Sequence, residues 1–251
     1  MSYKNKISGY GLLIVSVLAF STCKKLERPA LGDYAKDSSP PGGPLKFYAS
    51  FDATKAGNVF DSIRANFGTL NSASLVAGGV SGGANDSALQ ITSNGYVKFP
   101  SANDFGSFTS FTMAFWLKVT LAQKDHNNAD GILAFASSNN FWSNAVVFAD
   151  HESSTSDSMQ LKFHFANGPG DNWDFAGYTG SARWPGMYDG NWHHVAFVYD
   201  APSKTATLYR DGVQFDQKTN EIIAFDNAPS SLIVDGFQEA AGIVDNYADN
   251  S

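Results

Sequence analysis

The chain has 251 residues and a formal net charge of −7 at pH 7. This composition argues against nucleic-acid binding, because phosphate contacts require clustered Lys and Arg, and the longest basic run is Lys24-Lys25. Cys23 is the single cysteine, so no disulfide can form within one chain.

The N-terminus carries the pattern of a secretion signal. Two lysines precede an apolar run over residues 11–20. This run is too short for a membrane-spanning helix, which needs about 20 apolar residues. The segment LAFSTC, which ends at Cys23, resembles a bacterial lipobox, in which the cysteine becomes the lipidated first residue. We therefore predict a lipoprotein-type signal peptide at residues 1–22; an ordinary signal peptide that ends near Cys23 is the alternative.

Residues 23–44 are predicted to form a lipidated N-terminus and a flexible tether. This segment loses the hydrophobic pattern and collects proline, glycine and serine. Acyl chains contribute about 0.8 kcal/mol per buried methylene, so a multiply acylated cysteine would hold the protein at a membrane. We expect an exported protein that meets the outer membrane or cell surface through this lipid anchor only.

Residues 45–251 are predicted to form one domain, because short alternating segments recur between turn signals. The predicted strands, in chain order, cover residues 45–52, 88–91, 95–100, 110–120, 131–136, 144–149, 159–165, 192–199, 205–210 and 213–217. Residues 61–67 predict either a short helix or an irregular crossing. Asp211-Gly212 predicts a type I′ hairpin turn, which needs positive φ at both positions. The pattern favours an all-β antiparallel sandwich or jelly roll.

The strand at residues 110–120 shows the most regular alternation. One face carries the apolar side chains Phe111, Met113, Phe115, Leu117 and Val119. Trp116 lies on the opposite face. A strand with large apolar groups on both faces is typical of a two-layer sandwich, so we expect the face of Trp116 to be covered as well.

Four segments resemble the laminin-G-like, concanavalin A-like lectin/glucanase superfamily. They are GGVSGGANDSALQI, FTMAFWLKV, GNWHHVAFVYD and ATLYRDGV, and their order and spacing fit as well. The resemblance implies a jelly-roll sandwich of two curved antiparallel sheets. It also implies a closing C-terminal strand, which this sequence does not show. No cofactor is required by it, but a structural calcium ion is an option, with Asp52 as the first candidate ligand.

The adjacent histidines His193 and His194 invite a metal-binding interpretation, which strand geometry disfavours. Side chains alternate along a strand, so His193 is expected to point with Val195 and His194 with Trp192. Two residues on opposite faces cannot share one metal ion. We therefore interpret the pair as a marker of the fold rather than as a catalytic or metal site.

Candidate ligand-binding residues cluster in an aromatic, glycine-rich segment before this strand. Flat aromatic rings with polar neighbours suit the C–H faces of sugar rings. The candidates are Trp173, Phe175, Tyr178, Trp184 and Tyr188, with Trp142 at a second loop tip. The alternative is that these aromatics cap the sandwich core.

No paired-carboxylate strand of the retaining-glycosidase type is recognisable, and no catalytic residue is predicted. The nearest approach is Asp150 and Glu152, at the end of the strand NAVVFADHE. We therefore favour a surface-anchored, non-catalytic domain that binds a glycan or polysaccharide. A glycoside hydrolase or lyase of the same fold is the alternative, and a structural or protein-binding adhesion module is the second.

Overall fold

The computed structural model describes residues 43–51, 59–80, 87–100, 105–124, 127–140, 142–150, 156–167, 183–226 and 229–243. These residues form the strands β1 (Val59–Asp61), β2 (Asn66–Ala77), β3 (Ser87–Phe99), β4 (Phe111–Leu117), β5 (Asp130–Ser137), β6 (Ala145–Asp150), β7 (Gln160–Phe165), β8 (His193–Asp200), β9 (Thr205–Arg210), β10 (Val213–Thr219) and β11 (Pro229–Val234). Short 3-10 helices lie at Phe105–Ser107, Leu121–Gln123 and Gln238–Ala241. In this part of the chain, no helix has the length and apolar character to cross a membrane.

The described strands form two antiparallel sheets. One has seven strands in the order β1-β2-β3-β11-β5-β6-β7, and the other has four in the order β10-β9-β8-β4. The predicted all-β antiparallel sandwich is therefore confirmed. The hairpin between β9 and β10 also forms as predicted, with φ of 51° at Asp211 and 79° at Gly212.

The core lies between the inner faces of the two sheets. Phe163 and Phe165 of β7 meet Phe197 of β8, with ring centroids 5.4 Å and 4.5 Å apart. All three side chains are fully buried. Burial of one such side chain contributes roughly 1.5–3 kcal/mol, so contacts of this kind hold the two sheets together.

The two faces of β4 differ in exposure, and only the inner face agrees with the prediction. Met113 points inward and is buried, as its alternation predicts. Trp116 points outward, and 49% of its surface is exposed. The expectation that this face is covered is wrong, because no described element packs over the outer face of the sheet here. The neighbouring outward residues, Thr112 and Ala114, are exposed as well.

The start of the domain differs from the predicted strand at residues 45–52. Residues 43–51 form no strand, yet Phe47 still packs edge-on against Phe99, with ring centroids 4.8 Å apart. The backbone N–H of Tyr48 donates to Asp61 Oδ1 at 3.1 Å. A side-chain acceptor thus takes the place of a strand ladder at this point.

Two further elements depart from the predictions. The segments at 88–91 and 95–100 join into the single strand β3, which bulges over residues 92–95 opposite Ser72. The strand β11 was not predicted, although it lies between β3 and β5. Its residues Leu232 and Ile233 are buried, because the two side chains point to opposite covered faces of the larger sheet.

Candidate functional site

An exposed aromatic surface lies on the outer face of the four-stranded sheet. Trp116 of β4 pairs directly with His194 of β8. Their ring centroids are 5.0 Å apart at an interplanar angle of 58°. Cross-strand neighbours of this kind stabilise each other's position, so the indole is held in place although nearly half of its surface faces water.

Trp192 and Lys118 extend this surface by one cross-strand pair. Leu117 pairs with His193, which places Lys118 and Trp192 next to each other beyond the last paired residues. Lys118 Nζ lies 5.9 Å from the centroid of the Trp192 ring, within the range of a cation–π contact. We call the four residues Trp116, Lys118, Trp192 and His194 the aromatic platform. It offers two indoles, an imidazole and an ammonium group to a ligand that lies flat on the sheet.

His193 points away from the platform and lies between two carboxylates. Its Nδ1 is 2.9 Å from Asp211 Oδ2, and its Nε2 is 3.2 Å from Asp189 Oδ1. Asp211 belongs to the turn between β9 and β10, whereas Asp189 precedes β8. We call these three residues the Asp189–His193–Asp211 clasp. As predicted, the side chains of the adjacent histidines point to opposite faces: the His194 ring lies beside Trp116, and the His193 ring lies between Asp189 and Asp211.

The clasp perturbs the pKa values of all three groups. Partial burial lowers the pKa of His193, but hydrogen bonds and charge attraction from Asp211 and Asp189 outweigh it and raise the pKa above 6.5. Hydrogen bonds from Asn191 and His193 lower the pKa of Asp189 to about 2. Burial raises the pKa of Asp211, but hydrogen bonds from His193 and from the His194 backbone reverse this and leave it lowered.

The Asp189 carboxylate also closes a tight turn around Trp192. Asp189 Oδ1 accepts from the Asn191 backbone N–H at 2.7 Å, and Oδ2 accepts from Asn191 Nδ2 at 2.9 Å. Since Oδ1 also contacts His193, one carboxylate binds the residues on both sides of Trp192. The Gly190 N–H donates to the Val119 carbonyl at 3.0 Å, which fastens the turn to the chain after β4.

The structure places two of the predicted ligand-binding aromatics in the core. Trp184 is fully buried and stacks on Phe215, with ring centroids 4.2 Å apart and an interplanar angle of 15°. Tyr188 is buried, and Lys124 Nζ lies 5.2 Å from its ring centroid. Neither ring offers an exposed face to a ligand. For these two residues the structure matches the core-capping alternative.

The other predicted site residues are one half-buried tryptophan and several residues outside the described part of the chain. Trp142 is half-buried beside His164, with ring centroids 5.8 Å apart. Burial lowers the pKa of His164 to about 4, so its imidazole is neutral at pH 7. The remaining candidates lie outside the described residues: Trp173, Phe175 and Tyr178 for ligand binding, Asp52 for calcium and Cys23 for lipidation.

Two aspartates of the larger sheet have distinctive surroundings. Asp150, which the sequence singled out, forms an ion pair with Lys162. Burial and the nearby Asp130 carboxylate raise the pKa of Asp235 to about 7. Asp235 follows β11, and its backbone N–H donates to the Ile132 carbonyl at 2.8 Å. Within the described ranges, no three His, Cys, Asp or Glu side chains come together as metal ligands.

The residues that share a strand face with Trp116 indicate that this face is exposed, although the alternation of the strand does not. Thr112, Ala114 and Lys118 share the face of Trp116, and none of them is a large apolar residue. A single tryptophan among small and polar neighbours is typical of a solvent-exposed face. The partners of His193 were harder to find, because Asp189 and Asp211 are brought together only by the pairing of β8 with β9 and by the turn before β8.

Comparisons with known proteins agree with this architecture. A family model described as "Concanavalin A-like lectin/glucanases superfamily" matches residues 92–247. A comparison with curated proteins gives no match.

Solved structures with a similar fold share little sequence with the chain. Domain 4 of a GH43 extracellular arabinanase from Geobacillus stearothermophilus, in complex with arabinotriose, is 17% identical with a TM-score of 0.47, covering 76% of this chain and 84% of that one. The binding domain of Paraclostridial Mosquitocidal Protein 1 is 15% identical with a TM-score of 0.45, covering 76% and 44%. A Trypanosoma rangeli sialidase complex is 13% identical with a TM-score of 0.46, covering 79% and 28%.

Proposed function

We propose a non-catalytic carbohydrate-binding function, from the premise that the chain belongs to the concanavalin A-like lectin/glucanases superfamily. The superfamily includes both binding proteins and enzymes, so the choice between these two functions has to be argued from the site. The observation that carries the proposal is the exposure of Trp116, 49% of whose surface faces solvent beside His194. An indole held open on a flat sheet face is suited to binding and supplies no acid or base.

The chemistry of the aromatic platform matches that of a sugar. One face of a pyranose or furanose ring presents C–H groups, which pack against an indole and release water from both surfaces. Its hydroxyl groups project sideways towards donors and acceptors at the rim. Lys118 Nζ and the His194 imidazole lie next to the indoles and can hydrogen-bond those hydroxyls.

A binding panel tests this proposal. The protein is run in affinity electrophoresis against laminarin, xylan, arabinan, galactomannan and polygalacturonate, and reducing-sugar release is measured in parallel. We expect binding to at least one polymer without release. Trp116→Ala should weaken that binding at least about tenfold, because truncation of a central tryptophan typically removes a large share of binding energy.

Trp142→Ala is the control, since it removes a tryptophan that is half-buried beside His164 of the other sheet. Binding that survives Trp116→Ala but is lost in Trp142→Ala would move the site to that second loop tip. Absence of binding to all five polymers would favour the adhesion-module alternative. Release of reducing ends would contradict the non-catalytic assignment.

The hydrolase alternative has one specific observation in its favour. Asp235 has a pKa of about 7 beside Asp130, which is the property of a general acid that works near neutral pH. A hydrolase that used this group would lose reducing-sugar release in Asp235→Asn, and Asp150→Asn serves as the control because Asp150 is paired with Lys162. Unchanged release in Asp235→Asn would leave the alternative without its acid.

The anchoring part of the proposal rests on the sequence. We propose that Cys23 is lipidated and that residues 23–44 display the domain at the outer membrane or cell surface. Mass spectrometry of the mature N-terminus should show an acylated cysteine, and Cys23→Ser should shift the protein from the membrane to the soluble fraction. A mature protein that begins at another residue would contradict the anchor.

A further inference from the structure

We infer that His193 is a positioning residue for Trp192, and that the protonation of its imidazole sets where the Trp192 indole stands on the aromatic platform. The consequence for affinity rests on the proposed function. The coupling itself rests on geometry: His193 and Trp192 are adjacent and point to opposite sides of the sheet, and the carboxylate of Asp189 binds His193 and Asn191, the two chain neighbours of Trp192.

The geometry of His193 fits the charged imidazole. A neutral imidazole has one N–H donor and one lone pair, whereas the protonated ring has two donors. Both ring nitrogens of His193 face carboxylate oxygens, at 2.9 Å from Asp211 and 3.2 Å from Asp189. Since an ionised carboxylate only accepts hydrogen bonds, loss of the proton turns one of these contacts into a repulsion between a lone pair and an anion.

That repulsion acts on the turn that carries Trp192. The Asp189 carboxylate binds Asn191 and His193, the two neighbours of Trp192 in the chain. Its contacts with Asn191 do not depend on pH near neutrality, so His193 is the variable partner. The contact of His193 with Asp189 is the longer of its two, at 3.2 Å against 2.9 Å to Asp211, so it is the one that is lost when His193 gives up its proton. Asp189 then keeps Asn191 but releases His193. The indole then gains freedom relative to Lys118, its contact across the strands.

Among the described residues, the charged groups around His193 come from three elements. Asp189 lies in the preceding turn, and Asp211 lies in the hairpin between β9 and β10. Arg210 of β9 has its Nε 3.9 Å from Asp211 Oδ2 and competes weakly for that carboxylate. On β4 the residue paired with His193 is the apolar Leu117. Two carboxylates against one competing cation favour the protonated ring.

The sign of the pH effect follows from the raised pKa of His193. The folded protein binds this proton more tightly than the unfolded chain, so the contribution of the His193 proton to stability is complete below the ordinary histidine pKa of 6.5, where Asp189 and Asp211 are still ionised. It is lost as the pH rises through the folded-state pKa, which lies above 6.5. The placement of Trp192 is expected to change over the same interval.

Ligand-free NMR tests the coupling directly. The His193 ring signal is assigned by its loss in His193→Gln and the Trp192 indole N–H signal by its loss in Trp192→Phe, and both are followed from about pH 5 to about pH 9, a window that spans histidine titration. We expect the two signals to share one midpoint. In His193→Gln the Trp192 signal should no longer titrate, and in Asp216→Asn, a carboxylate removed from β10 of the same sheet, it should titrate as in the wild type.

Affinity gives the second readout. Binding to laminarin, xylan, arabinan and galactomannan should weaken about two- to tenfold across that midpoint, the size of the contribution of one ordinary hydrogen bond. The affinity of His193→Gln should not change over the same pH range.

A Trp192 signal that does not move, or moves with another midpoint, overturns the inference. If no polysaccharide binds at any pH while the two signals titrate together, the carbohydrate proposal fails and the coupling stands.

Discussion

Trp184 allows a quantitative test of whether the predicted aromatic segment serves the core or a ligand. Its side chain is fully buried and stacks on Phe215 at 4.2 Å. Truncation of a buried tryptophan to alanine removes the ring and leaves a cavity, at a cost of about 3–5 kcal/mol. We therefore expect Trp184→Ala to lower the free energy of unfolding by that amount.

A second substitution separates the ring from its polar atom. Among the described residues, Trp184 Nε1 is buried without a hydrogen-bond partner. An unsatisfied buried donor costs about 1–3 kcal/mol, so Trp184→Phe loses part of the ring but also removes this penalty. The stack on Phe215 is kept. The net loss in Trp184→Phe should therefore stay below about 2 kcal/mol, a smaller effect than that of alanine.

Guanidinium chloride unfolding measures both variants. With an m value of about 4 kcal/mol/M, Trp184→Ala should lower the midpoint by roughly 1 M, and Trp184→Phe by less than half of that. Trp116→Ala is the control, because loss of an exposed side chain and its cross-strand contact with His194 should change stability by no more than about 1 kcal/mol. If Trp184→Ala keeps its midpoint but loses polysaccharide binding, the ring belongs to a ligand site and the packing argument is wrong.

Three further predictions concern the backbone, a buried acid and a metal. Gly95→Ala should destabilise the domain by about 1–3 kcal/mol in the same assay, because a Cβ there would lie 2.4 Å from the Ser72 carbonyl oxygen; an unchanged midpoint would contradict the bulge. Asp235 has a folded pKa of about 7, above its ordinary 3.8, so wild-type stability should fall as the pH rises between these values. The melting temperature of Asp235→Asn should therefore fall less than that of the wild type over that interval. An equal fall in both proteins would refute the assignment of this effect to Asp235. If Asp52 holds calcium, EDTA should lower the melting temperature of the wild type but not of Asp52→Ala, whereas an unchanged wild type removes the calcium expectation.

The alternation of apolar and polar residues predicted most strands of this domain, because a strand with one buried face shows this pattern within a few neighbouring residues. The strand β9 formed at the predicted residues 205–210, and the Asp211-Gly212 turn took its predicted conformation. The strand β11 was missed because Pro229 and two serines mask its short apolar centre. What makes it a strand is the open position between β3 and β5, which are distant from it in the sequence.

The candidate site was harder to predict because it depends on which faces are covered. Sequence reasoning ranked Trp184 as a ligand-binding residue and Trp116 as a covered one, and the structure reverses their exposure. Both residues are tryptophans in alternating or loop-rich segments. Their different exposure follows from the number of layers packed on each sheet face, which no local pattern contains. The separation of His193 and His194 was predicted, since it needs only the period of a strand.

The position of β11 in the seven-stranded sheet has a consequence for the time at which the domain can fold. β1, β2 and β3 can pair among themselves, as can β5, β6 and β7, but the two groups are joined only through β11 in the described sheet. Each group would therefore expose an unpaired strand edge until residues 229–234 have left the ribosome. Since strand pairing over such long sequence separations is slow, the sheet closes late. Until then the edges of β3 and β5 are open to pairing with another chain, so this is the interval in which a chaperone that covers them would protect the domain most.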